Sequence, residues 1–191
     1  MFKTHQSEIQ EWAKQSPDNT AKVVKFVLVT IQRSFHCVED ICKDKKSIKG
    51  FTASTEKGFT YADENAIEIH ALVHGPGTDR DKLLGLTAIH GIGIPKAGFI
   101  LQLCTGRGAC LDTHNLRKFS LEAKHFKLGK TQAGREKVAQ TYLDICQKLG
   151  GSEYLWDQWV HFIAVDRWPQ FWSSAEDCSH AHVRCLKNMT W

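Results

Sequence analysis

Apolar residues recur along this chain mostly at three- and four-residue steps, the repeat of one face of a helix. Residues 6–15 predict a short helix with Ile9 and Trp12 on one side, broken at Ser16-Pro17-Asp18-Asn19. Thr20 is placed to cap a second helix from Ala21 to Lys43. The β-branched run KVVKFVLVTIQ would suit a strand by propensity. The set Val23, Val24, Val27, Ile31, Phe35, Val38 and Cys42 favours a buried helix instead. Residues 44–60 are polar and glycine-bearing and read as a loop or short insertion. Tyr61 to His74 is helical again, with Ala66, Ile69, Leu72 and Val73 as its stripe, and Gly75-Pro76-Gly77 stops it.

The segment from Asp79 to Lys118 is the most ordered pattern in the chain. Thr78 or Asp79 caps a helix whose buried face is Leu83, Leu84, Leu86, Ile89 and Ile92. Gly91 and Gly93 then supply turns that a Cβ would hinder. Pro95 fits the first turn of the next helix, which buries Phe99, Ile100, Leu101 and Leu103. A Gly-rich turn delivers Leu111-Asp112-Thr113-His114-Asn115. Downstream, Ser120 to Gly129 is a basic connection. Helices follow from Thr131 to Leu149 and from Ser152 through Asp166, the second burying Leu155, Trp156, Trp159, Val160 and Ile163. From Arg167 the chain is aromatic and reads as irregular, and no alternating run suggests a sheet. The fold class expected is all-α.

Composition sharpens this only a little. A chain of 191 residues with 42% hydrophobic positions builds one core or two small lobes. Residues 1–170 read as one helical domain carrying the hairpin at 79–105, and residues 171–191 as a tail. The net charge of +4 suits a polyanionic partner without demanding one. The N-terminal stretch has no apolar core of signal-peptide length. The longest apolar patch, Val23 to Ile31, is interrupted by Lys25 and is too short to cross a membrane. A cytoplasmic chain with no membrane partner is expected. With seven cysteines and no export signal, mostly reduced thiols are expected.

Two stretches carry candidate chemistry. Backbone amides at the start of the helix after Gly93, with its positive dipole end, suit an anion such as DNA phosphate. For Gly-Ile-Gly taken alone, an ordinary αα-hairpin with a glycine turn is the favoured account, since short glycine patterns carry little specificity. Asp112, one helix and one turn later, is either the cap of the next helix or a carboxylate with a chemical task, and both roles are compatible. Cys178, His180, His182 and Cys185 offer zinc-type donors, but their spacing fits no standard zinc module, and a solvent-exposed tail is the reading preferred. Trp156 and Trp159 read as core.

The order HGIGIPKAGFILQL, turn, LDTHNLR resembles the helix-hairpin-helix DNA glycosylase superfamily, which includes the endonuclease III, adenine-mismatch and alkyl-base repair enzymes. Gly91, Ile92, Gly93, Ala97, Asp112, Thr113, His114 and Arg117 fall on matching positions of its hairpin and of its Val-Asp-Thr-His-like element. Thr30-Ile31-Gln32-Arg33-Ser34 looks like the segment whose glutamine fills the gap left by an extruded base. The resemblance implies a two-lobed helical fold over roughly Lys22 to Ala164, a DNA partner, a monomer, and Asp112 as catalytic carboxylate. Gln32 and Arg33 would form the wedge, and Gly91, Ile92, Gly93, His114, Arg117 and Lys118 would contact DNA, with Lys124 and Lys130 as further phosphate contacts.

Two positions depart from the pattern. Where members with lyase activity place a lysine, this chain has Pro95. Lys96 follows one residue later and is the second candidate catalytic residue, but one helical step turns it by roughly 100°, which argues against a lyase. Cys178 and Cys185 have the spacing of the first two iron–sulfur cysteines of endonuclease III-type enzymes, and the last two are missing, so no cluster, metal or other cofactor is expected. A base-excising hydrolase is the leading expectation. Compact phage relatives that act on hypermodified thymine by group transfer are the second, and a non-catalytic DNA-binding module is the third.

Overall fold

A computed structural model describes residues 3–30 and 51–191. Among the described residues the structure is helical throughout with no strand, and no helix is long and apolar enough to cross a membrane. Helix α1 is Lys3–Lys14, α2 is Pro17–Thr30, α3 is Ala53–Glu64 and α4 is Ala66–His74. Helix α5 is Asp79–Leu86, α6 is Ile94–Thr105 and α7 is Thr113–Lys118. After a short 3-10 turn at Ala123–Phe126 come α8, Gln132–Lys148, and α9, Gly151–His161. Helix α9 runs on into a π-helical turn at Phe162–Arg167, and α10, Ala175–Asn188, ends the chain's helices.

Helices α2 and α6 form the middle of the molecule. Nearly every residue of α6 from Ile94 to Cys104 is buried, as is α2 from Thr20 to Thr30 apart from Lys22. They pack on each other, α1 lies against both, and α5 and α8 cover the far side of α6. One cluster of buried apolar side chains runs from Ile9 to Met189. Lys25, the cation that interrupts the α2 apolar run, is itself buried and reaches Asp63 of α3 at 2.6 Å.

Four expectations need correction. Thr20 does not cap α2, which starts three residues earlier with Pro17 in its first turn and Ser16 Oγ accepting the Asn19 amide at 3.2 Å. Thr20 is instead buried, its hydroxyl donating to Ala13 O at 2.9 Å. The stretch read as a loop up to residue 60 is helical from Ala53, capped by Thr52, whose side chain accepts the Thr55 amide. Gly58 looked like a loop residue, but it marks a close approach: a Cβ there would stand 2.7 Å from His90 O and 2.8 Å from Leu28 Cδ1. Asn65 divides the Tyr61–His74 stretch between α3 and α4.

The largest departure is at the end of the chain. Residues 171–191 read as an irregular exposed tail, yet Ala175–Asn188 is a helix with Cys178, Ser179, Ala181, His182, Cys185 and Leu186 buried. Ser174 caps it by accepting the Asp177 amide at 3.0 Å, and Glu176 and Asp177 complement the dipole at its start. It packs against α1, tying the two ends of the chain together.

Candidate active site

The hairpin forms between α5 and α6. Thr78 caps α5, accepting the Asp81 amide at 3.1 Å and donating to Asp81 Oδ2 at 2.6 Å. The helix ends at Leu86. Ile89 and Ile92 lie beyond it in the turn but are still buried, so the apolar pattern continued past the helix. Only one of the two hairpin glycines is conformationally required. Gly91 has φ +84°, whereas Gly93 is extended at φ −99° and ψ 179° with open space where a Cβ would lie. Gly93 therefore leaves the start of α6 uncovered, while the Gly91 face rests on Leu28. The turn is further held by His90 Nε2, 2.9 Å from Ser54 Oγ on α3. Amides in the first turn of α6 have no acceptor within the helix, by the geometry of any helix start.

Lys96 lies in that first turn, half-buried, and burial pushes its amine below the ordinary lysine range. A lysine so placed carries more of the neutral, nucleophilic form than a solvated one.

Helix α6 ends at Gly106 in the left-handed region, φ 69°. The loop that follows folds back along the same helix and is fixed by three buried side chains. Tyr142 of α8 donates its hydroxyl to Ala109 O at 2.7 Å and accepts the Leu111 amide at 3.2 Å. Gln102, buried in mid-α6, accepts the Cys110 amide at 2.8 Å and donates to Ser152 O at 2.9 Å. Asn115 donates to Cys110 O at 2.5 Å. Gly98 makes this possible, since a Cβ there would lie 2.5 Å from Tyr142 Cε1 and 2.7 Å from Ala109 O. Residues 109–111 are thus held on both sides by hydrogen bonds from buried side chains, which satisfy backbone groups that water does not reach.

Asp112 emerges from this clamp half-buried, at the start of α7. Its Oδ1 accepts the Asn115 amide at 3.0 Å and its carbonyl accepts the Leu116 amide at 2.9 Å, so it caps α7. Behind it, burial raises the Cys110 thiol and the Tyr142 phenol well above their ordinary values, and the Asp112 charge adds to both shifts. Both neighbours therefore stay neutral.

A cavity of about 540 Å³ lies beside α7, within the size range of small-molecule sites. Asn115, Arg117 and Lys118 of α7 line it together with Phe162, Asp166 and Arg167 of the π-helical turn. Asp112 is not among its lining residues; it stands one turn earlier on the same helix. No family model, curated protein or solved structure matches the chain.

Of the sequence-derived site residues, Gly91, Ile92, Gly93 and Lys96 share the hairpin and the start of α6, while Asp112, His114, Arg117 and Lys118 share α7 and its cap. Ile92 has a buried side chain and offers only backbone. Arg117 and Lys118 are exposed, Lys118 donating to Gln158 of α9, and their place in the last turn of α7 also complements its dipole. Exposed Lys124 pairs with Glu122. Gln32 and Arg33 lie outside the described residues. Phe162, Asp166 and Arg167 were missed, because a helix of ordinary period puts nothing special there, whereas the wider π turn opens it, closing with the Trp168 amide on Ile163 O at 3.0 Å. Gln102 could have been found, as the single polar residue in the run FILQLC.

The zinc-type donors of the last helix do not act together. Cys178 and His182 are one turn apart and both buried, with His182 Nδ1 2.7 Å from Cys178 O, so that nitrogen carries the ring proton. Burial pushes the Cys178 thiol up to about 12, which keeps it protonated and a poor ligand. Cys185 is disulfide-bonded, while Cys104, Cys110, Cys146 and Cys178 are free thiols. Trp156 and Trp159 pack in the core against Phe99 and His182.

Proposed function

We propose that this chain is a DNA-acting enzyme of the helix-hairpin-helix glycosylase type. It hydrolyses the N-glycosidic bond of a base flipped from the duplex, with Asp112 as the catalytic carboxylate. The observation that carries this reading is the clamp of Tyr142, Gln102 and Asn115, which presents Asp112 from a rigid loop one helix after the glycine hairpin. A cap alone needs no such support, since an N-cap aspartate on an exposed helix is held by its own amide bonds.

Cleavage of the N-glycosidic bond builds positive charge on the deoxyribose, and a fixed carboxylate in a partly dry setting stabilises that charge better than water does. The same carboxylate orients and deprotonates a water attacking the sugar carbon. The hairpin at Gly91–Gly93 and the basic pair Arg117 and Lys118 hold phosphates on either side, contacts that position without reading sequence. Lys96, displaced by Pro95, serves binding rather than Schiff-base chemistry. Gln32 and Arg33 fill the gap in the duplex.

Asp112→Asn tests the reading cleanly, because the amide oxygen still accepts the Asn115 amide and preserves the cap while the charge is lost. The wild-type chain is incubated with damaged, mismatched and phage-modified duplexes, and released bases and intact nucleosides are weighed by mass spectrometry. A freed base that disappears in Asp112→Asn, with DNA binding retained, supports excision. A nucleoside that gains mass indicates group transfer to the base. DNA binding with neither product on any substrate reduces the chain to a binding module.

A further inference from the structure

The two ends of the chain bring three metal-type donors together at a place no reading of the catalytic site uses. His5 lies in the first turn of α1 with its side chain only 4% exposed. Glu176 and His180 are four residues apart on α10 and therefore share a face. His5 Nε2 is 3.9 Å from Glu176 Oε1, and the His5 and His180 rings are 3.6 Å apart between centroids, tilted by 53°. One donor atom from each of the three lies within 4.8 Å of the other two. Ligands at zinc's usual bond lengths sit roughly 3.4 Å from one another around a tetrahedron, so side-chain turns of about an ångström close the set.

The surroundings suit an ion as well. Glu8 Oε1 lies 3.6 Å from His5 Nδ1, on the opposite side of the ring from Glu176. A carboxylate behind a ligating imidazole fixes its tautomer and raises its basicity. Glu8 is itself held by Lys187 of α10 at 3.4 Å. Two imidazole rings and a carboxylate brought this close together form a donor set that suits an ion. With one, two neutral nitrogens and a carboxylate satisfy a borderline-soft divalent cation and leave a position for water.

We propose that His5, Glu176 and His180 bind a divalent transition metal of the zinc class, with Glu8 as the positioning carboxylate behind His5. The ion clamps the first helix to the last. It stabilises the fold by binding the folded chain and not the separated helices.

The test uses the full chain stripped with chelator and titrated with zinc by calorimetry and with cobalt by visible absorption. One equivalent per chain is expected, with the intense ligand-field bands of a four-coordinate cobalt site and a zinc-dependent rise in Tm. His180→Asn and Glu176→Gln should abolish the bands and the rise in Tm, and Glu8→Gln should weaken zinc binding by about 10- to 100-fold. Glu176 is exposed, so its variant folds even if His180→Asn does not. Absence of micromolar binding by the wild type, or binding unchanged in Glu176→Gln and His180→Asn, overturns the site.

Discussion

The Tyr142 hydroxyl accepts the Leu111 amide at 3.2 Å, so a side chain on α8 fixes the backbone immediately before Asp112. The same hydroxyl donates to Ala109 O at 2.7 Å, and all three residues are fully buried. Tyr142→Phe keeps the ring that packs on Phe126 and leaves both backbone groups without that partner. We expect a loss of about 1–3 kcal/mol in denaturant unfolding. Any activity carried by Asp112 should fall further than stability explains, because a carboxylate misplaced by about 1 Å can cost on the order of 100-fold. Single-turnover rates at saturating DNA check the second point. A variant that is less stable but turns over normally would detach Tyr142 from catalysis.

Gln102 does from inside α6 what Tyr142 does from across the core. It joins the Cys110 amide to Ser152 O, and its own carbonyl accepts Gln6 Nε2 at 3.3 Å. Gln102→Leu is close in size but strands both partners of the lost amide in a buried site. A destabilisation of about 2–4 kcal/mol is expected by urea unfolding, larger than for Tyr142→Phe if both stranded groups stay dry. A near-neutral result would mean that water enters to replace the amide.

How far these features could be read in advance depends on the kind of signal each one leaves. Helices α5, α6 and α8 were legible because their apolar spacing, caps and glycine stops agree, as with Thr78, Pro95 and Thr131. Helix α10 was not, since Cys178, Ser179, His182 and Cys185 share its buried face with Ala175, Ala181, Val183 and Leu186, and the small and polar residues among them break up the hydrophobic stripe. Gly58 misled for a related reason: a glycine demanded by a neighbour's approach looks in sequence like one demanded by a turn. Asp112 could be singled out and even assigned its cap from local order alone. The clamp behind it could not, because Tyr142 and Leu111 are 31 residues apart and nothing local links them. The cavity wall at Phe162–Arg167 depends on a backbone irregularity that residue types alone do not announce.

Two histidines make the fold acid-sensitive. His74 is lowered to about 4 by burial first, then by the charges of His70, Lys14 and Lys82. His182 is lowered to about 4 by burial, partly offset by its bond to Cys178 O. Unfolded, each returns to about 6.5. Between these values the unfolded chain takes up protons that the folded chain refuses, so stability is full above about pH 6.5 and declines as pH falls toward 4. Tm measured between about pH 7.5 and 5, above the range of ordinary carboxylates, should fall with acidification. His74→Gln should flatten part of that slope. A Tm that stays level over the window would mean that the histidines titrate normally.

Three glycines separate packing from binding. Gly98→Ala drives a methyl into Tyr142 and Ala109 O, both fully buried and bonded to each other, so a loss of about 1–3 kcal/mol is expected. Gly91→Ala presses only on the end of the Leu28 side chain, at 3.3 Å, but must hold φ +84°, a strain of about 1 kcal/mol. Gly93→Ala meets nothing within 4 Å at an ordinary φ, so its Tm should match the wild type. Yet its methyl would project into the open space at the start of α6, where the proposed function brings a phosphate oxygen to the backbone. Affinity for a duplex, followed by fluorescence anisotropy over a salt series, should therefore drop for Gly93→Ala while its fold is untouched. Wild-type affinity with a wild-type salt slope would show that DNA does not approach this hairpin, and would leave Gly93 as a residue of the turn alone.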